Sequence, residues 1–326
     1  DNLGNENIDS IFIDIHTSNI NEYILSLDLD ILIYMAIGLE MLSYSLSFNR
    51  FAPIQCNTLG HINTSGKEYI DYYITSKLFQ SESELFTEKL IQFDSLTLCC
   101  TNSYETLVKS FTPHFLPRHA FGINNTDIVY FYTASIFKIT PDNDILFKFI
   151  LTNIDNSIIL INYNTNDIWY EKLMKRLKIQ FDNDELLQRI KFVDCTKEYI
   201  PNLNLDVNKS MFYYHNLVYL CDFAIESFPF GSCLTTLDAL IWNKIKLSNS
   251  FRVVRAKFTT GLYETIGIPG LNPKSCEELY NLILKLKSYK LRRKYEIRIK
   301  LNRHKIYNIE PIIKEWQTKL LSLCSY

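Results

Sequence analysis

Residues 221–242 read Cys-Asp-Phe-Ala-Ile-Glu-Ser-Phe-Pro-Phe-Gly-Ser-Cys-Leu-Thr-Thr-Leu-Asp-Ala-Leu-Ile-Trp, and no other stretch constrains the fold so tightly. The apolar run 221–225 has the character of a strand buried on both faces, the kind found in parallel sheets. Phe228-Pro229-Phe230-Gly231 makes a sharp loop at its carboxyl end. Thr235 or Thr236 is placed to cap a helix carrying Asp238, Ala239, Leu240, Ile241 and Trp242. Strand, tight turn and capped helix bring backbone N–H groups and the positive end of the helix dipole to one spot, a setting suited to an anion. Asp238, in the first turn, has the chemistry to accept hydrogen bonds from a ribose. The same pattern describes an ordinary strand–helix connection, and local sequence leaves both readings open.

The rest of the chain alternates in the same way. The pattern predicts a helix over 19–27, a buried strand over 31–35 and a second strand from the segment Phe51-Ala52-Pro53-Ile54-Gln55. Leu59-Gly60-His61 forms a loop, and residues 69–75 are strongly β-prone. Further strands are predicted at 128–133, 157–163, 190–194, 221–226 and 245–248. Helices are predicted at 142–151, 168–177, 207–219, 235–243, 254–266, 275–287 and 290–303. Strands alternating with helices imply an α/β class built on doubly wound parallel sheets. The 326 residues suffice for two domains of about 150 each. Two prolines and no clear period in 112–119 mark the connection. The expected division is a Rossmann-like domain over 1–115, a linker over 116–127 and a second Rossmann-like domain over 128–304. A carboxyl-terminal helix over 305–326 packs back on the first domain. Ligands of such folds bind at the carboxyl ends of the strands, here in a cleft expected between the domains.

Charge and cysteine usage exclude several classes. A net charge of −2 gives no footprint for nucleic acid, and the Lys/Arg-rich run 285–305 reads as a solvated helical face. The 8 cysteines show no CxxC pair and no zinc spacing, which fits free thiols in a reducing, cytoplasmic setting. The first residues are polar and unlike a signal peptide. The most apolar stretch, 29–42, is interrupted by Asp30 and Glu40 and is too short to span a bilayer, so no membrane span is expected. Asp28-Leu29-Asp30 reads as a turn rather than a metal motif, so no metal site and no cofactor is expected.

Five stretches, in order, carry a resemblance. They are Ala52-Pro53-Ile54-Gln55 with Leu59-Gly60-His61 and Thr64-Ser65-Gly66, then Ile70-Asp71-Tyr72, then Phe137-Lys138-Ile139-Thr140-Pro141. Phe228 to Leu240 follows, and last comes Gly261-Leu262-Tyr263-Glu264-Thr265-Ile266-Gly267-Ile268-Pro269. Together they resemble the catalytic region of glycosyltransferase family 41, which includes protein O-GlcNAc transferases, Spindly-type transferases and bacterial N-glycosyltransferases of adhesins. Phe228-Pro229-Phe230-Gly231, the Gly261 segment and Tyr213-Tyr214 before Cys221-Asp222 lean toward the bacterial branch.

The resemblance implies a GT-B fold whose two domains face a cleft, with the first short of its amino-terminal strand and loop. It implies an inverting, metal-independent transfer of a hexose or N-acetylhexosamine from a UDP-sugar to a protein or peptide side chain, Asn or Ser/Thr. Lys138 and the turn Gly231, Ser232, Cys233, Leu234, Thr235 and Thr236 would take the diphosphate. Asp238 would take the ribose, and Tyr214 would lie against the uracil. His61 would sit by the reacting centre as a base or as a positioning group, with Gly60, Thr64, Ser65 and Asp71 on the acceptor side. Arg255 and Lys257 flank a helix start within reach of a diphosphate or acceptor. The chain departs from the family at Ile62, at Ser232-Cys233-Leu234 and at Asn243-Lys244, where relatives carry a Gly. The alternatives are a transferase acting on a glycan and a non-catalytic relative that keeps the fold.

Overall fold

The computed structural model describes residues 11–13, 19–35, 37–79, 85–163, 168–181, 183–195, 209–248 and 257–324. Arg255 and the expected helix starts at 207 and 254 lie outside them. The chain divides into two compact units, one of Asp1–Ser76, Glu82–Phe93 and Lys314–Tyr326, the other of Lys77–Ser81 and Asp94–Ile313.

The first unit is a four-stranded parallel sheet flanked by helices. In chain order come α1 (Ile20–Ser26), β1 (Ile31–Tyr34), α2 (Met41–Leu46), β2 (Ile54–Asn57), β3 (Tyr72–Ser76) and β4 (Lys89–Phe93). The strands lie side by side in sequence order, so nothing in this sheet reverses direction. The strand residues Cys56, Ile74 and Phe93 form a buried core. Trp316, Leu320 and Leu323 of the carboxyl-terminal helix Glu310–Leu323 close it, the Trp316 ring lying edge-on to Phe93 at 5.1 Å. The apolar spacing of that helix is used here: one stripe faces the sheet and the charged side faces out.

The second unit is larger. It contains α3 (Asn102–Lys109), β5 (Ile128–Tyr132), α4 (Pro141–Asn153), β6 (Ser157–Asn162), α5 (Ile168–Gln180), α6 (Asp184–Gln188) and β7 (Ile190–Val193). It continues through α7 (Lys209–Leu220), β8 (Phe223–Ile225), α8 (Leu234–Ile241), β9 (Ile245–Leu247), α9 (Phe258–Thr265), α10 (Cys276–Lys285) and α11 (Tyr289–Asn302). The five strands are parallel in the order β7-β6-β5-β8-β9. The order reverses between β5 and β8, whose carboxyl ends are neighbours through the pair Tyr132–Ile225. In a doubly wound sheet that reversal opens a crevice for ligand. The connections after β5 and β8, residues 133–140 and 226–233, both leave from it.

The stretch expected as a linker is instead built into this unit. Phe111, Phe121 and Ile123 are buried in the core with Val129, Phe131, Phe212 and Trp242. Thr112–His114 and Arg118–Phe121 are short 3-10 turns. Asn216 holds Leu116 by both backbone groups, at 2.7 and 3.1 Å, and Arg118 reaches the Asp222 carboxylate at 2.9 Å. The prolines do break the helix, but the apolar residues around them find partners on α7 and β5. The boundary therefore lies near residue 94, not at 116–127.

Two backbone positions show why the local sequence is what it is. Asn243 has φ of 59°, a left-handed conformation that Asn tolerates well. Gly261 begins the second turn of α9, and a Cβ there would come within 2.7 Å of the Phe79 ring and 2.9 Å of the Leu78 carbonyl. Phe79 is itself stacked on Phe258 at 4.7 Å. Gly261→Ala is therefore expected to lower stability by about 1–3 kcal/mol, the usual cost of overpacking. Urea unfolding checks it, and a wild-type midpoint would mean that the Phe79 stack yields freely.

Candidate functional site

The loop after β8 is organised from beneath by Glu226. Its carboxylate is buried and accepts from the Ser232 amide at 3.0 Å, from the Thr259 hydroxyl at 2.5 Å and from the Ser248 hydroxyl. Burial raises its pKa against these hydrogen bonds and the nearby Lys246 charge. Thr236 Oγ1 donates to the Ser232 carbonyl at 3.3 Å and lies 2.8 Å from Thr259 Oγ1. Thr236 is fully buried and turned inward. The helix cap is Cys233, not Thr235 or Thr236, and no side chain caps α8. Leu234 is 68% exposed and Thr235 is half-buried, so the opening turn of α8 faces outward through these two. Gly231 and Ser232 are buried within the loop.

Lys138 lies on the neighbouring connection. It ends the 3-10 turn Ile136–Lys138, which runs into Thr140 and Pro141 at the start of α4. Arg176 pins this turn by donating to the Ile139 carbonyl at 2.8 Å while it pairs with the buried Asp144. Thr140 Oγ1 donates to the Phe228 carbonyl at 2.9 Å, tying the two connections together. The Lys138 ammonium lies 4.7 Å from the Phe230 ring centroid, a cation–π approach, and burial lowers its pKa. The structure thus gathers Lys138 with residues 228–235 at the carboxyl ends of β5 and β8.

Asp238 and Tyr214 do not join that surface. Asp238 is 4% exposed and accepts from Tyr104 Oη at 3.0 Å. The Trp242 indole donates to His215 Nδ1 at 3.1 Å, which leaves the ring proton on Nε2 to donate to Tyr104 at 3.0 Å. Proton donation therefore runs from Trp242 through His215 and Tyr104 to Asp238. Burial pushes His215 down to about 4 and Asp238 up to about 6. Tyr214 packs on the second-unit core, 5.8 Å from the Phe131 ring, and burial followed by the Asp238 charge holds its phenol well above the ordinary range. Here Asp238 is a buried acceptor that ties α3 and α7 to α8, and Tyr214 is a packing residue. Both side chains expected at the ribose and uracil have internal partners here, Asp238 in the Tyr104 hydroxyl and Tyr214 in the core around Phe131.

In the first unit His61 follows β2 on its loop, half-buried, its backbone carbonyl held by Tyr73 Oη at 2.8 Å. Gly38, at φ 91°, lies against the ring, so a Cβ there would sit 3.5 Å from His61 Cγ. Asn63 Nδ2 lies 3.1 Å from His61 Nδ1, in hydrogen-bond contact. Gly60 is exposed beside it. Thr64 and Ser65 do not face outward as acceptor groups: both bond the buried Glu88, Thr64 Oγ1 at 2.6 Å and the Ser65 amide at 2.7 Å. Asp71 is likewise committed, receiving Arg50 at 2.5 and 2.9 Å and the Gln55 amide at 2.8 Å. These three hold the loop's shape.

Lys246 is not among the residues that the sequence motifs point to. It lies in β9, fully buried, and donates to Thr133 Oγ1 at 2.9 Å and to Thr235 Oγ1 at 2.7 Å. Burial brings its pKa down to about 8 against the opposing charges of Glu226 and Asp238. Its signal in sequence was a lysine inside the short apolar strand Ile245–Leu247, where only a paired or functional charge is tolerated. Among the described residues no group of three or more His, Cys, Asp or Glu is placed to hold a metal ion, and no helix is long and apolar enough to cross a membrane.

No protein-family model matches the chain. Over 245 residues it is 25% identical to a probable UDP-N-acetylglucosamine–peptide N-acetylglucosaminyltransferase SPINDLY of Hordeum vulgare, covering 73% of this chain and 23% of the relative. The chain therefore spans about a quarter of that relative's length. Among solved structures it superposes on a mutant O-GlcNAc transferase of Thermobaculum terrenum with a TM-score of 0.72 at 18% identity, over 93% of this chain and 54% of the other. It superposes on Anabaena HepE in complex with UDP-glucose with a TM-score of 0.50 at 14% identity, over 94% and 82% of the two chains. The chain is homologous to the SPINDLY and O-GlcNAc transferase group, and its fold is of the GT-B type. Nothing in these likenesses singles out the bacterial N-glycosyltransferase branch.

The buried relay sets a pH signature. His215 binds fewer protons folded than unfolded between about 4 and its ordinary 6.5, so its contribution to stability grows as pH rises through that window. Asp238 binds more protons folded than unfolded between its ordinary 3.8 and about 6, so its contribution shrinks as pH rises. The two oppose. Asp238→Asn removes the second, and unfolding free energy between pH 4 and 6.5 is expected to rise more steeply than in the wild type, by about 2–3 kcal/mol over the window. Urea titrations at the two ends check this; equal slopes would remove Asp238 from the relay.

Proposed function

We propose that the chain is the catalytic region of an inverting glycosyltransferase that moves a hexose or N-acetylhexosamine from a UDP-sugar to a peptide side chain, Asn or Ser/Thr, without a metal. One observation carries the reading: Lys138 and the side-chain-uncapped start of α8 converge at the strand-order reversal of the second unit, joined by the Thr140–Phe228 bond. A departing diphosphate needs its charge met as it develops, and a fixed ammonium with a helix amino terminus supplies that. The names of the SPINDLY relatives and the UDP-glucose bound by the HepE neighbour support the donor and acceptor classes.

His61 serves the acceptor side. There it is proposed to orient a reacting oxygen through a hydrogen bond. The test is mass spectrometry of mixed Asn- and Ser/Thr-containing peptides with several UDP-sugars in EDTA. The reading expects a single sugar added to peptide; sugar added only to a saccharide acceptor would favour a glycan transferase, and no transfer with retained UDP binding a non-catalytic relative.

In an active preparation Lys138→Ala is expected to slow transfer by about 10²–10³-fold, the 2–4 kcal/mol scale of a preorganised charge contact, with the fold intact. A wild-type rate would take Lys138 out of the site. His61→Gln is expected to keep much of the rate that His61→Ala loses, because a donor remains. If both variants are equally slow, His61 acts as a base instead.

A further inference from the structure

We propose that Lys246, without touching a ligand itself, is the positioning residue of the anion site, fixing Thr235 as a hydrogen-bond donor and supplying the buried positive charge beneath a bound diphosphate. This rests on the reading that the start of α8 holds that diphosphate. A lysine fully buried in a short parallel strand is costly unless its charge is used. The hydrogen-bond partners of this ammonium are neutral hydroxyls, Thr133 at the end of β5 and Thr235 in the first turn of α8. Thr133 passes its own proton to the Ile225 carbonyl at 3.3 Å. Thr235 accepts from the ammonium, so its proton is directed away from Lys246, and a hydroxyl polarised by a cation is a stronger donor.

A second observation points to a ligand at the same turn. Ser232 is 6% exposed, one residue before the Cys233 cap, and its Oγ is buried with no hydrogen-bond partner. The Glu226 carboxylate, whose charge with that of Asp238 acts on Lys246, has its hydrogen-bonding capacity engaged by Ser232, Thr259 and Ser248. The turn thus combines an unmet buried hydroxyl, an uncapped helix start and a cation whose field is aimed through Thr235. That is the chemistry of a phosphate or diphosphate site, and Lys246 is the part of it that lies below the surface.

The test is calorimetric titration of inorganic pyrophosphate, UDP and uridine into the wild type and into Lys246→Met, Thr235→Val and Thr235→Ser, with unfolding curves for each. Pyrophosphate and UDP are expected to weaken at least tenfold in Lys246→Met and Thr235→Val while uridine is unchanged. Thr235→Ser keeps wild-type affinity, and the Lys246→Met/Thr235→Val double variant is no weaker than Lys246→Met alone. Wild-type pyrophosphate affinity in a folded Lys246→Met overturns the proposal, as does an equal loss for uridine. If Lys246→Met fails to fold, Thr235→Val decides alone: unchanged pyrophosphate binding overturns it. A wild type that binds pyrophosphate but not UDP, with the loss in Thr235→Val, supports the anion site and rejects the nucleotide reading. A wild type that binds neither rejects both.

Discussion

A buried carboxylate holds the second unit's ligand-facing turn in shape. Glu226 leaves β8 at the point where the strand order reverses, and its two oxygens collect a backbone amide from the turn, a hydroxyl from α9 and a hydroxyl from the end of β9. A carboxylate in such a place is expensive unless its hydrogen-bonding capacity is filled. Because it is filled, the turn 228–233 has one shape, and the start of α8 is presented outward with Thr236 folded in and Thr235 left at the surface. Lys246 belongs to the same buried set and balances its charge from the next strand.

Much of what looks functional in the sequence is this kind of support. Gln55 and Asp71 lace the start of β2 to β3 through Phe51, Tyr69 and Arg50. Thr64 and Ser65 serve Glu88. Asp238 closes a chain of donors from Trp242. Gly261 makes room for the Phe79–Phe258 stack. Segments that define a resemblance are therefore largely those that shape loops.

The strand–helix alternation was readable because fully apolar runs such as those at 158–161 and 223–225 have only one home, a sheet covered on both faces. The carboxyl-terminal helix was readable from the spacing of Ile312, Trp316 and Leu320. Four elements were not. β4 alternates charged and apolar residues weakly, and α2, α3 and α6 are helices too short to show a helical period. The span 112–121 misled because proline marks a break in a helix without saying whether the chain leaves the core, and here Phe111, Phe121 and Ile123 keep it there. At the site, the resemblance carried by Phe137-Lys138-Ile139-Thr140-Pro141 pointed to Lys138. It could not say that Asp238 faces inward, since that depends on Tyr104, more than a hundred residues away in sequence. Lys246 was legible only as a charge out of place.

The turn after β8, with Lys138 and the start of α8, is proposed to bind the diphosphate of a nucleotide without help from a metal. Calorimetric titration of UDP against UMP in EDTA, on the wild-type protein, tests it most directly. The prediction is saturable one-to-one binding of UDP, with UMP weaker by an order of magnitude or more because the second phosphate is the one these groups hold. Binding that vanishes in EDTA, or UMP as tight as UDP, would contradict it.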